Sequence, residues 1–472
     1  MPFFVEKRGD DNMEEIKKEN KMGIIPVKKL MFMMGLPMIL SMVVQAFYNI
    51  VDSYFIANMV SSTVANIGEC AINALTLAFP VQMLMIAIGV GTGVGVNTLL
   101  SRYLGEKKYK EASMVAGNAI FTAICTYAVF LVFGIFFSRW FIQTQTSDEL
   151  TISLGTTYLS ICCIFSFGSI GSMIYEKLLQ STGKTTLSTV AQLAGAITNI
   201  VLDSIMIYGL LGCPEMGVSG AAIATVIGQI VTLLMDMYFH YRFNHEIDGR
   251  LAYLKPVKKM IAEIYKVGAP AIIMQALMSV MSYGINLIFG LVSAAAITAF
   301  GIYYKVQQFV FFAAFGMNNA MIPIIAYNYG KDDKQRIHEG MKYGLLYTLF
   351  LMLLGLLGLQ LFAKQICDVF SLTSEAQELC IYAIRIVSLG YLFAGANIAY
   401  QGIFQALGCG IKSLVLSLVR LIIVTLPLAY VLTCLDNASF WIWFCFPVAE
   451  LCGVVVALLY MKKVKKDKLH EG

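Results

Sequence analysis

Asp52 and Asp203 are carboxylates set inside long apolar stretches, and each has an amide at helical spacing, Asn49 three residues before Asp52 and Asn199 four before Asp203. Positions three or four apart share a helix face, so each carboxylate has an amide beside it. Ionisable groups at membrane depth are costly and ordinarily line a cavity or hold a partner. Desolvation and mutual repulsion favour a proton on at least one of two carboxylates brought together, whereas several hard oxygens suit Na+. The chemistry expected of Asp52, Asp203, Asn199 and Asn49 is reversible binding of a cation, H+ or Na+, and the sequence leaves the choice open. At about 1.5 Å per residue from the cytoplasmic ends of their helices, both carboxylates fall in the outer half of the membrane.

The second half of the chain carries different groups. Arg420 and Glu450 lie near the middle of their helices at similar depth, which leads us to expect a buried ion pair, with cation recognition or coupling by Glu450 as the alternative. Lys305, Gln307, Asn397 and Gln401 are further candidates for substrate or structural polar positions. Intramembrane amides of this kind commonly hydrogen-bond between helices. Other chemistry is poorly represented. The 11 cysteines are odd in number and include no CxxC pair, and the four histidines stand at or beyond cytoplasmic helix ends. Gly183-Lys184-Thr185 resembles the end of a phosphate loop, but Leu178 occupies the position of the required glycine. We therefore expect no catalytic residues, no cofactor, and no metal beyond Na+ at Asp52 and Asp203.

These groups must be positioned by membrane helices. With 58% apolar and 13% charged residues and a mean hydropathy of +0.74, a soluble globular chain is excluded. Twelve helices are expected, near 30–57, 70–100, 112–137, 151–181, 185–211, 217–241, 262–292, 294–328, 338–363, 377–406, 411–433 and 440–462, each long enough to cross ~30 Å of hydrocarbon. The runs do not alternate as barrel strands would. Two copies of one pattern are present: YEKLLQSTG at 175–183 answers YQGIFQALG at 400–408, an offset of 225 (400 − 175) that also pairs Gly91 with Gly316 and Gly105 with Gly330. Near the start of each half the offset is 233, where Gly35-Leu36-Pro37 matches Gly268-Ala269-Pro270. The expected fold is therefore all-α and polytopic, two parallel six-helix repeats around a central cavity.

Basic residues set the orientation. Lys17, Lys18, Lys21, Lys28 and Lys29, then Arg102, Lys107, Lys108 and Lys110, then Lys331, Lys334 and Arg336, and finally Lys462 to Lys468 fall on one side, so both termini are expected in the cytoplasm. This divides the chain into a partly disordered arm (1–29), an N lobe (30–241), a basic linker (242–261), a C lobe (262–462) and a tail (463–472). Cytoplasmic anchoring accounts for nearly all of the formal charge of +5, which excludes a nucleic-acid partner.

The stretches LSRYLGEKKY (100–109), LLQSTGK (178–184), TNIVLDSIMIYG (198–209), EIYKVGAPA (263–271), GIYYKVQQF (301–309) and MIPIIAYNYG (321–330) resemble the multidrug and toxic compound extrusion (MATE) family, nearest its bacterial DinF-like and Staphylococcus-type branches. The resemblance runs from about residue 28 to 462. It implies two lobes around a central cavity and export in exchange for H+ or Na+, with Asp52, Asp203 and Asn199 as the coupling cluster and Glu450 as an acid typical of helix twelve. Three departures stand out: helix seven offers only Glu263, at its cytoplasmic end, Glu176 beside Lys177 occupies a position where an amide is common, and Leu421 follows Arg420 where a glutamine is common. The expected activity is secondary antiport, not enzymatic, of amphipathic and often cationic organic compounds by a monomer in the bacterial inner membrane. A lipid-linked saccharide flippase of related architecture is the alternative.

Overall fold

Long apolar runs punctuated by short polar turns become long helices, and in the computed structural model the chain has no strand among the described residues. These are residues 20–57, 67–368, 370 and 373–470. The expectation for the N-terminal arm falls largely on residues 1–19, outside them. Among the described residues ten helices are long and apolar enough to cross a membrane, and two bent pairs, each taken as one span, bring the number to twelve. The first half comprises α1 (Val27–Ala57), α2 (Ile67–Gly105), α3 (Tyr109–Phe136), the bent α4 (Glu149–Ile164 and Phe167–Ser181), α5 (Thr185–Tyr208) and α6 (Gly217–Phe243). The second comprises α7 (Lys258–Gly290), α8 (Ala294–Gly330), α9 (Lys334–Asp368), the bent α10 (Ser374–Ser388 and Tyr391–Ala406), α11 (Gly410–Thr433) and α12 (Ala438–Leu469). The chain is a multi-pass membrane protein.

The repeat read from the sequence is reproduced in local structure. Asp148 caps the start of α4 by accepting from Thr151 N, and Thr373, 225 positions on (373 − 148), caps α10 by accepting from Ala376 N. The two bends, 43° in α4 and 53° in α10, follow Ile164 and Ser388, near-equivalent places in the repeat. Neither bend contains a proline. Both helices end on a glycine with positive φ, Gly183 at 82° and Gly408 at 72°, which lets the chain turn directly into the next span.

The halves meet through α1, α2, α7 and α8, with α2 on α7 and α1 on α8 as equivalent pairs. Gly105 at the end of α2 and Gly330 at the end of α8 mark the crossing. A Cβ on Gly105 would lie 1.9 Å from the Tyr327 carbonyl oxygen, and one on Gly330 would lie 2.1 Å from that of Arg102. Since 327 − 102 is again 225, the two contacts are one contact repeated by a pseudo-twofold. Small residues allow this approach, and close packing is what holds helices together in lipid. The crossing lies at the end of the bundle that carries Lys107, Lys108, Lys331 and Arg336, called here the basic end.

Hydrogen bonds between the halves cluster toward the same end. Tyr103 donates to Glu263 Oε2 (2.9 Å), Arg336 Nη2 donates to the carbonyls of Met22 and Ile25 (2.9 and 2.7 Å), and Asn328 Nδ2 donates to Met22 O (3.2 Å). Met22 is fully buried, within a short helical turn (Lys21–Ile24) that Asn20 caps while donating to Glu246. This part of the N-terminal arm is thus packed between the halves.

Candidate functional site

The first-half site begins with a close helix crossing. On α5 and α6, a Cβ built on Gly195 would lie 2.6 Å from Gly228 O, and one on Gly228 would lie 2.8 Å from Gly195 O. The backbones therefore meet, and Asn199, one turn beyond Gly195, is pressed against α6, where its Nδ2 donates to Thr225 Oγ1 (3.4 Å). Asp203, a further turn along α5, is fully buried. Tyr208 at the end of α5 donates to Phe55 O of α1 (2.9 Å), and its ring stands edge-on to that of Phe55, 6.1 Å away. This fastening brings Asp52 of α1 within hydrogen-bonding reach of Asp203. Asn49 belongs to α1, but its side chain lies outside the described residues.

The electrostatics of this cluster are one-sided. Asp52 Oδ1, both carboxylate oxygens of Asp203 and Asn199 Oδ1 are buried without a hydrogen-bond donor. Two ionised carboxylates can only accept, so neither satisfies the other unless a proton or metal cation stands between them. Buried acceptors left unmatched are expensive. Tyr48, one turn before Asp52, lies beside both carboxylates, and Tyr158 of α4, which accepts from Gln82 Nε2 (3.4 Å), lies near Asp52. The donor set of carboxylate, amide and hydroxyl oxygens fits a proton or Na+, both of which oxygen ligands accept.

The second-half groups build a different site. In α11 the helix widens to a π turn over Val419–Ile423, bounded by a bond from Thr425 Oγ1 to Arg420 O (2.5 Å). Such an insertion re-aims the side chains that follow the regular turns. Arg420 is buried there and grips Glu450 of α12 through Nε (3.1 Å) and Nη2 (2.6 Å). The other Glu450 oxygen, Oε2, accepts from Asn397 Nδ2 (2.7 Å). A pocket opens beside the pair, with Tyr303, Tyr304, Gln307, Gln401 and Phe446 among its walls. Gln401 is held by Ser417 Oγ (2.7 Å). Lys305 is exposed and does not line this pocket.

Sequence reading passed over several of these positions. Thr225, Tyr48 and Tyr158 carry no charge and do not stand out in an apolar helix. His240, expected at the cytoplasmic end of its helix, is buried near the basic end of α6 (3% exposed), and so is Asp236 one turn before it (0% exposed), which the sequence reading does not single out. Among the described residues no cluster of three or more His, Cys, Asp or Glu could hold a metal ion.

The MatE family model matches residues 37–205 and 270–431, well over half of the chain. The chain belongs to the MATE family. Its match to the multidrug export protein MepA of Staphylococcus saprophyticus is 25% identical over 451 residues, covering 94% of this chain and 97% of that protein. MepA of Staphylococcus aureus strain MRSA252 is 24% identical over 434 residues, covering 92% and 93%. Among solved structures, an outward-facing multidrug resistance MATE transporter superposes with a TM-score of 0.87 at 22% identity, over 96% of this chain and 100% of the other. The Vibrio cholerae MATE transporter VcmN gives 0.85 at 20% identity, over 94% and 98%. Membership in MATE makes the chain a membrane transporter and not an enzyme.

Proposed function

We propose that this chain is a secondary antiporter that exports amphipathic, often cationic organic compounds in exchange for inward movement of H+ or Na+ across the bacterial plasma membrane. The carrying observation is the set of unmatched acceptor oxygens on Asp52, Asn199 and Asp203. A cation entering that set neutralises repulsion between α1 and α5 and so biases their packing. Leaving it on the other side restores the repulsion and resets the cycle. The basic end is cytoplasmic, and the contacts there among Gly105, Tyr327, Gly330 and Arg102 support a state closed to the cytoplasm. Cargo character follows from the second-half pocket. Its aromatic walls favour flat hydrophobic cations, while Glu450 is already neutralised by Arg420. The Staphylococcus relatives are named multidrug export proteins, which supports export of drug-like compounds.

The test is efflux of a fluorescent organic cation from proteoliposomes under an imposed H+ gradient or, separately, a Na+ gradient. Efflux by the wild type under one gradient, lost in Asp52→Asn protein of equal membrane abundance, is the expected result and names the ion. Coupled efflux preserved in Asp52→Asn would overturn the proposal.

A further inference from the structure

Asp236 is a buried carboxylate of the first half that lies apart from the Asp52 and Asp203 pair. It is fully buried on α6, and neither carboxylate oxygen has a hydrogen-bond partner. Glu176 of α4 is the neighbour that acts on Asp236 electrostatically, and it adds a second negative charge. Lys177 does not offset Asp236, because its Nζ donates to Gln180 Oε1 (2.8 Å) and lies 3.7 Å from Glu176 Oε1. Gln180 in turn donates to Glu176. His240 follows one turn after Asp236, packed edge-on against Tyr175 (5.5 Å between rings) and hydrogen-bonded through Nδ1 to Asn244 Nδ2 (3.2 Å). Tyr241 contacts Tyr175, and Lys184, in the turn between α4 and α5, bonds Asn244 Oδ1 (3.2 Å) and faces Glu246 (3.9 Å). An ionised carboxylate buried without a donor or cation beside it is costly, so Asp236 is a group that would take up a proton offered to it.

Its position along α6 gives this a direction. Thr225, Gln229, Thr232, Asp236, His240 and Asn244 follow one another at steps of four, three, four, four and four, which is a single helix face. Thr225 touches the cation cluster through Asn199, and Asn244 reaches the basic end through Lys184. At 1.5 Å per residue Asp236 lies about 16 Å nearer the basic end than Thr225. The repeat-equivalent face of α12, 225 positions on, reads Glu450, Val454, Ala457, Met461 and Lys465. Only the lobe that holds the Asp52 and Asp203 pair therefore has a polar row leading from it toward the basic end.

We propose that Asp236, flanked by Glu176 and His240, is a second proton site of the N lobe, through which a proton released from Asp52 and Asp203 passes to the cytoplasm. The carboxylate of Asp236 accepts that proton as the pair gives it up, becomes a neutral acid, and returns the proton to water at the basic end by way of His240. This rests on the antiport reading above and adds to it that the transported cation is H+.

The test uses the full chain in proteoliposomes with tetraphenylphosphonium as substrate and a pH dye reporting substrate-driven proton movement, alongside substrate affinity in detergent. Asp236→Asn is expected to slow proton movement by at least about tenfold while substrate affinity stays within about twofold. Asp236→Glu is expected to restore movement and to shift its dependence on cytoplasmic-side pH, leaving the outer-side dependence unchanged. Wild-type rates in Asp236→Asn would overturn the proton site and leave antiport standing. So would a wild type driven by Na+ alone. A wild type with no coupled efflux under either gradient would overturn the antiport reading itself. If Asp236→Asn does not fold, Asp236→Glu decides alone, and an unchanged cytoplasmic-side pH profile counts against the site.

Discussion

Thr225 and Glu450 occupy the same position in the two halves (450 − 225 = 225), on the sixth and twelfth helices. In the N lobe the neutral threonine accepts from Asn199 beside two unmatched carboxyls. In the C lobe a carboxylate takes that place and is fully matched by Arg420 and Asn397. The remaining positions follow suit. Asn199 and Asp203 fall on Val424 and Leu428, and Asp52, at the offset of 233, falls on Ile285, which is fully buried. One scaffold has thus been given two electrostatic characters, one whose buried acceptor oxygens have no donor and one whose carboxylate is matched. Unmatched acceptors are what the proposed cation exchange requires, whereas a satisfied ion pair fixes the shape of a pocket.

The largest expected effect tests the short side of this comparison. Asp203→Asn should reduce ion-driven efflux to the level of empty liposomes without loss of abundance, as read by dye efflux. Next comes the satisfied side. Glu450→Gln leaves Arg420 buried without its counter-charge and should cost about 3–5 kcal/mol of stability. The double replacement Arg420→Leu with Glu450→Leu should recover most of that loss. Thermal melting in detergent checks both variants, and equal melting of the single and double variants would show that the pair is not coupled. A smaller effect is expected at Thr225. Thr225→Val removes the acceptor for Asn199 and should weaken cation affinity by about threefold to tenfold, the ~1 kcal/mol of one hydrogen bond, seen as a shift in the ion dependence of efflux. The mildest concerns the seal between the lobes. Gly105→Ala puts a methyl group 1.9 Å from Tyr327 O unless the helices separate, so cysteines placed across the basic end should crosslink more slowly than in wild type.

Much of this asymmetry was legible in the sequence, for a physical reason. A carboxylate in an apolar run is conspicuous because membranes penalise it, so Asp52, Asp203, Arg420 and Glu450 stood out, and the twelve spans and their repeat followed from hydropathy and offset. What remained hidden is of two kinds. Thr225 and the Gly195–Gly228 crossing carry no electrostatic signature, and their importance comes only from how closely two backbones approach. The bends after Ile164 and Ser388 and the π turn at Val419–Ile423 depend on packing and lack a proline to announce them. His240 falls at a cytoplasmic helix end by sequence, where water is expected, and the sequence reading does not single out Asp236 one turn before it. Packing of α4 and α6 around Tyr175 encloses them instead.

The central claim is that coupling resides in the N lobe and not in the C-lobe pair. Its most direct test is ion-gradient-driven efflux of one organic cation by two proteins in parallel, Asp203→Asn and the Arg420→Leu, Glu450→Leu double variant, each normalised to folded protein. Dependence of efflux on the ion gradient should vanish in the first and persist in whatever efflux the second retains. Persistence in Asp203→Asn with loss in the double variant would place coupling in the other lobe and contradict the account.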